Sequence, residues 1–262
     1  MVESPQTFHY QGQASGPHLL ITAGVHGDEF ESIAAVQRLV GMFEQDDSDV
    51  NNLCGKVTLV PVVNVSAFLN GQRCGDDGLD LARTCPGRID GSITEQTAHH
   101  LSNLIRDADY YIDLHTGGTE LTVYPLSGYT LHPNTDVLDI QRQMANAFNL
   151  PFVWGTAADL EGRSLSIARD AEVPAIYCEY LGSAICDPLG VDAFVIGCLN
   201  VMGHLKMLDR RPPNSRTEHQ VEDQTPGSGH MQVCHPSPAT GLFEPLVRLG
   251  DHVKQDQILG LI

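Results

Sequence analysis

Four side chains in this sequence have the types and settings that hydrolytic metal chemistry needs: His26, Glu29, His115 and Glu179. His26 and Glu29 stand three residues apart in LLITAGVHGDE, where an apolar run stops at a glycine-flanked bend. An imidazole and a carboxylate at that spacing can chelate one metal ion. Two histidines and one carboxylate leave a fourth position open on zinc, the arrangement of catalytic rather than structural sites. Zinc polarises a carbonyl and lowers the pKa of its water toward about 7. A further carboxylate, here Glu179, would take the proton and pass it to a leaving amine. Arg73 and Arg83 are candidates to hold a substrate carboxylate or steady an oxyanion.

The elements that must position these groups read as strands and helices in alternation. The apolar run from Leu19 reads as a buried strand after a Gly/Ser/Pro turn, and ESIAAVQRLVGMF spaces Ile33, Val36, Val40 and Phe43 at helical intervals. KVTLVPVV, YYIDL and PAIYC are further apolar strands, with Asn64, His115 and Glu179 at or just past their carboxyl ends. In open α/β sheets ligands gather outside that end of the strands. The patterns predict helices over 92–108, 136–148, 163–171 and 191–208, with Ser92 or Thr94 as N-cap and Glu95 in the first turn. Short strands are expected at 8–11, 122–126 and 152–154. The glycine- and charge-rich stretch from Asn70 to Gly91 has the length and composition of a functional or disordered loop.

Each group alone also has a structural reading. His115 can be a hydrogen-bonded strand-end histidine, Glu179 a solvated carboxylate, and the arginines partners of Asp76, Asp77 or Asp80. Their joint placement at strand ends is what points to a site. The remaining histidines lack that setting.

Composition bounds the partners. The 262 residues suffice for one α/β domain and a smaller piece, and a net charge of −18 argues against nucleic acid or an anionic membrane as partner. Seven scattered cysteines, without a CxxC pair, form neither a zinc ribbon nor a disulfide framework. The start lacks the pattern of a leader and no stretch is long enough to span a bilayer, so a reducing cytoplasm is the expected setting. Residues 210–229 read as a linker between a catalytic domain, 1–209, and a partial β domain, 230–262, in which MQVCHP, GLFEPLVRLG and ILGLI are β-like runs. The oligomeric state is not written in the sequence, and a homo-oligomer is left open.

These motifs together resemble the succinylglutamate desuccinylase/aspartoacylase family, related to the zinc carboxypeptidases, from Leu19 to the end of the chain. AGVHGDE resembles its first metal motif and DLHTGG its second, which implies His26, Glu29 and His115 as ligands to one zinc. PAIYCEYLG resembles the strand ending in the catalytic glutamate, implying that role for Glu179. NVSAFLNGQR…GLDLARTCPG resembles the region of substrate-binding arginines, implying Arg73 and Arg83. The implied fold is α/β, a zinc-carboxypeptidase-like mixed sheet flanked by helices, with a small partial C-terminal β domain of barrel-sandwich or hammerhead type. The implied function is zinc-dependent hydrolysis of the amide of an N-acylated amino acid or related amine, with the zinc-bound water activated by Glu179 and a small N-acyl compound as substrate. The alternatives are a metallo-carboxypeptidase acting on a peptide or cell-wall fragment, and a metal-binding scaffold without turnover. One departure stands out: the family pattern Asp-Leu-Asn-Arg followed by Phe-Pro-Gly has Ala82 for the asparagine and Cys85 for the phenylalanine. The resemblance therefore carries over the metal motifs and leaves the acyl group and amine of the substrate open. In the tail, no lysine stands in the Met-Lys context of a biotinyl or lipoyl site, and Lys254 reads as a surface charge.

Overall fold

The structure is a computed structural model that describes residues 5–45, 48, 50–230 and 236–262. Ten strands are described: β1 (Phe8–Gln11), β2 (Ala14–Thr22), β3 (Cys54–Val60), β4 (Tyr110–His115), β5 (Thr122–Thr130), β6 (Phe152–Thr156), β7 (Ala175–Gly182), β8 (His219–Asp223), β9 (Glu244–Pro245) and β10 (Gly260–Leu261). The first eight build one mixed sheet in the order β1-β3-β2-β4-β7-β5-β6-β8. Its centre, β3-β2-β4-β7, is parallel; β1 and β5 run antiparallel to their inner neighbours.

Helices cover both faces, which is why the central strands are near-continuous apolar runs rather than alternating ones. Successive β2 side chains point to opposite faces. Leu19 and Ile21 join a core with α1 (Phe30–Glu44), α4 (Thr135–Phe148) and α6 (Pro188–His204). Leu20 packs on the other side with α3 (Ile93–Arg106) and α5 (Ser164–Asp170). α3 starts at Ser92, whose N–H donates to the Glu95 carboxylate at 2.8 Å, as its capping pattern predicts.

Two segments differ from the sequence reading. The stretch 210–229 is more than a linker, because His219–Asp223 pairs in parallel with Phe152–Thr156 as the edge strand β8. Its residues are polar because one side of an edge strand faces solvent. It is pinned by Glu222, which accepts from Arg142 Nε at 2.7 Å and from the Tyr129 hydroxyl at 2.8 Å. The loop from Asn70 is likewise preceded by a short helix, α2 (Val65–Asn70), N-capped by Asn64. In the tail, β9 and β10 pair as a two-stranded ribbon with Leu242, Phe243, Ile258 and Leu261 exposed. Most of the run expected at MQVCHP lies outside the described residues. Among the described residues no helix is long and apolar enough to cross a membrane.

Candidate metal and catalytic centre

The carboxyl ends of β2, β4 and β7 lie side by side at one edge of the sheet, and the candidate residues come from there. After Thr22 the chain is held against the exit of β3, with Ala23 N–H donating to Val60 O and Val63 N–H to Ala23 O, both at 3.0 Å. Gly27 brings this bend against α2: a Cβ there would lie 2.0 Å from the Ala67 carbonyl carbon, so only glycine fits. The chain then turns into α1 with Glu29 at the N-cap position. His115 is the last residue of β4 and stands opposite Glu179 in the β4–β7 register.

Glu29 lies between the two imidazoles. Its Oε1 is 2.6 Å from His26 Nδ1 and its Oε2 is 3.0 Å from His115 Nδ1. One ligand atom from each of His26, Glu29 and His115 lies within 4.8 Å of the others. The far ring nitrogens also face carboxylates, His26 Nε2 with Asp80 Oδ1 and His115 Nε2 with Asp113 Oδ2, each at 3.1 Å. Such outer carboxylates fix ring orientation and tautomer in metal sites.

Electrostatics at this cluster favour a cation. Burial would lower the pKa of both histidines, but their carboxylate partners prevail: His26 is raised, and His115 well above the usual histidine range. Burial opposes ionisation of Glu29 as well, yet the two imidazoles hold it down at about 2. The carboxylates around the two rings thus favour positive charge at this cluster, and the donor set of two imidazoles and a carboxylate suits zinc.

Glu179 is the exception in this otherwise paired cluster. Its Oε2 is buried and lacks a partner among the described residues. Burial first, and the charge of Glu29 in addition, push its pKa up to about 8 against the opposing pull of His115. A carboxyl group so placed holds a proton near neutral pH and releases it readily.

These groups form the floor of a cavity of about 370 Å³. Arg73, Arg83 and Arg163 line its walls, with Leu121, Val123, Tyr124 and Tyr177. Arg73 donates from Nε and Nη2 to Asp80 Oδ2 at 3.1 and 3.0 Å, so one predicted arginine is paired within its own loop. Arg83 donates to the Ala82 carbonyl at 2.8 Å and keeps its remaining face toward the cavity. Arg163 went unnoticed in the sequence because nothing around it forms a motif. Its buried Nε has no partner among the described residues, and burial together with Arg83 lowers its pKa to about 10. Asp113 was missed too, although period-two alternation in YYIDLH puts it on the same face as His115. Ala82 also lines the wall, offering a methyl group where the resemblance expects an amide.

Comparison with known proteins follows this geometry. The family model described as "Succinylglutamate desuccinylase/Aspartoacylase catalytic domain" matches residues 15–204. The N-alpha-acetyl-L-2,4-diaminobutyric acid deacetylase of Halomonas elongata is 30% identical over 263 residues, which is 95% of this chain and 71% of that protein. The solved succinylglutamate desuccinylase/aspartoacylase from Rhodobacter sphaeroides superposes with a TM-score of 0.84 at 25% identity, covering 97% of this chain and 75% of that one. The product-bound ectoine utilization protein EutE (DoeB) of Ruegeria pomeroyi shares the fold with a TM-score of 0.84 at 23% identity, over 99% of this chain and 84% of that one.

Proposed function

The chain belongs to the succinylglutamate desuccinylase/aspartoacylase family, and from that premise we propose that it is a zinc-dependent amidohydrolase removing the acyl group from an N-acylated amino acid or related amine. The observation that carries the reading is the convergence of His26, Glu29 and His115 beside a carboxylate, Glu179, with an unpartnered buried oxygen.

His26, Glu29 and His115 would hold one zinc ion per chain. When bound, zinc supplies a Lewis acid for the scissile carbonyl and acidity for the attacking water. Glu179 takes the proton of that water as its oxygen adds to the carbonyl carbon. It then delivers the proton to the amide nitrogen as the carbon–nitrogen bond breaks, leaving a carboxylic acid and an amine, which become carboxylate and ammonium once the acid's proton passes to the amine. A pKa raised by burial suits a group that must both accept and return a proton, and a cation beside it shifts the balance toward the carboxylate form. The arginine wall calls for an anion. Arg83 and Arg163 both have lowered pKa values from burial, opposed at Arg83 by Asp80 and reinforced at Arg163 by the Arg83 guanidinium, and a substrate carboxylate would offset that cost. Arg73, tied to Asp80 and 3.4 Å from His26 Nδ1, lies at the reacting end and is placed to meet an oxyanion. A reducing cytoplasm fits the six described cysteines, all of them free.

The test is release of free amine from a panel of N-acyl amino acids headed by mono-acetylated diamino acids, the compound class in the name of the Halomonas relative. Wild type and Glu179→Ala are each loaded with one zinc equivalent. Turnover should fall by about 10²–10⁴-fold in the variant while zinc stays bound. Equal turnover in both would overturn the role of Glu179. Activity confined to peptides would move the reading to a carboxypeptidase.

A further inference from the structure

Asp113 is fully buried, and each of its carboxylate oxygens is occupied. Oδ1 accepts from the Thr22 hydroxyl at 2.8 Å, and that hydroxyl lies 2.7 Å from the hydroxyl of Tyr111. Oδ2, the oxygen 3.1 Å from His115 Nε2, also accepts from the Ser164 hydroxyl at 2.5 Å. Ser164 comes from a different layer of the molecule. It opens α5, directly follows Arg163, and lines the same cavity.

The carboxylate is thus clamped at both ends. The Thr22 bond alone would leave it free to swing about Oδ1, and the swing would carry Oδ2 away from His115. The Ser164 bond closes that motion at the oxygen that matters. Resting on the functional reading above, we infer that Ser164 is a positioning residue for the zinc-ligating ring of His115, acting through Asp113. It also joins the arginine wall to the metal floor, because the backbone that carries Arg163 carries this clamp one residue later.

Ser164→Ala removes the clamp together with the contact of the Ser164 hydroxyl to Tyr111. Its zinc dissociation constant, from competition with a chromogenic chelator, should rise about 10-fold, the lower end of the range for lost outer-shell partners. kcat at saturating zinc should fall by a similar factor, with KM within about twofold of wild type because the hydroxyl proton is given to Asp113 and not to substrate. Ser164→Thr keeps the hydroxyl and should restore both values. Thr22→Val removes the donor to the oxygen that does not face His115 and should have the smaller effect. Unfolding midpoints of the metal-free proteins are measured in parallel. If the alanine variant fails to fold, Ser164→Cys, with a weaker donor of similar size, replaces it. Wild-type zinc affinity and kcat in Ser164→Ala would overturn the inference, as would a change in KM alone or an equal loss in Thr22→Val. Should the wild-type protein itself take up no zinc, the functional reading falls, and the inference falls with it.

Discussion

The floor and the wall of the cavity are built on opposite principles. On the floor, both nitrogens of His26 and His115 face carboxylates, and two of those carboxylates, Asp80 and Asp113, are held by further donors. Asp80, for example, is kept well below the usual carboxylate range: burial opposes its ionisation, but His26 and Arg73 outweigh it. On the wall, cationic charge exceeds its partners, and Arg163 keeps a buried donor unmatched. Apart from Glu179, whose Oε2 is unpartnered among the described residues, the floor is paired without substrate and can be organised before substrate arrives. A wall short of anions is completed only by the compound it binds. Chemistry and specificity are therefore separable in this molecule.

Substitutions on each side should break that separation in different ways. The largest effect is expected for His115→Ala, which deletes a proposed ligand and leaves Glu29 and Asp113 without their shared partner. Zinc binding should weaken by at least about 100-fold and turnover vanish with it, read by metal analysis after dialysis and by amine release. Retained stoichiometric zinc would show that the floor does not depend on this ring. Arg163→Ala should leave zinc affinity unchanged but lower kcat/KM by about 10- to 200-fold for substrates bearing a free carboxylate, in line with about 1.5–3 kcal/mol for a charge-assisted hydrogen bond. A parallel loss on substrates without a carboxylate would contradict the anion-binding wall.

The pH dependence of metal uptake sharpens the contrast from the floor side. His26 and His115 both have raised pKa values, so protons compete more strongly with a metal ion at the two rings than at free histidines. The apparent affinity should therefore rise with pH, by up to about 100-fold per unit where about two protons leave together, and level off once both rings are neutral. Calorimetry in buffers of different ionisation enthalpy counts the protons; uptake instead of release would reverse the sign argued here. The smallest effect is expected for Ala82→Asn, which restores an amide to the wall. It should change relative kcat/KM among acyl-amino acids by about 10-fold or less and leave zinc affinity alone, as a competition assay between two substrates would show.

Legibility followed the same division. His26 and Glu29 were readable because a strand, a glycine bend and a helix surround them within a dozen residues. His115 and Glu179 were readable only as strand ends; their pairing across β4 and β7 is a fact of the sheet order, which periodicity does not contain. The mixed sheet flanked by helices was expected, and the structure has it. The wall was harder. Arg163 is a cation buried by tertiary packing at a loop–helix junction, and no local pattern marks such a position. β8 was missed because edge strands tolerate polar sequences that read as loops, and α2 because six residues are too few for a helical period to emerge.

The antiparallel course of β5 has a bearing on how this molecule can vary over generations. Because β5 runs against β7, its first residues lie beside the end of β7, and the chain arrives at the cavity straight from His115. Leu121–Tyr124 and the metal ligand are thus one short continuous path, tied to β7 where Gly117 N–H donates to Leu181 O at 2.9 Å and Ser183 N–H to Leu121 O at 3.0 Å. An insertion in that path would displace the ligand along with the lip. The loop carrying Ala82 and Arg83 is tied as well, at Asp80, which faces His26 Nε2 at 3.1 Å, and at Cys85, whose N–H donates to Gly162 O at 2.9 Å. New substrate preferences can therefore accumulate in the loop and on the β5 lip alike by changing one side chain at a time.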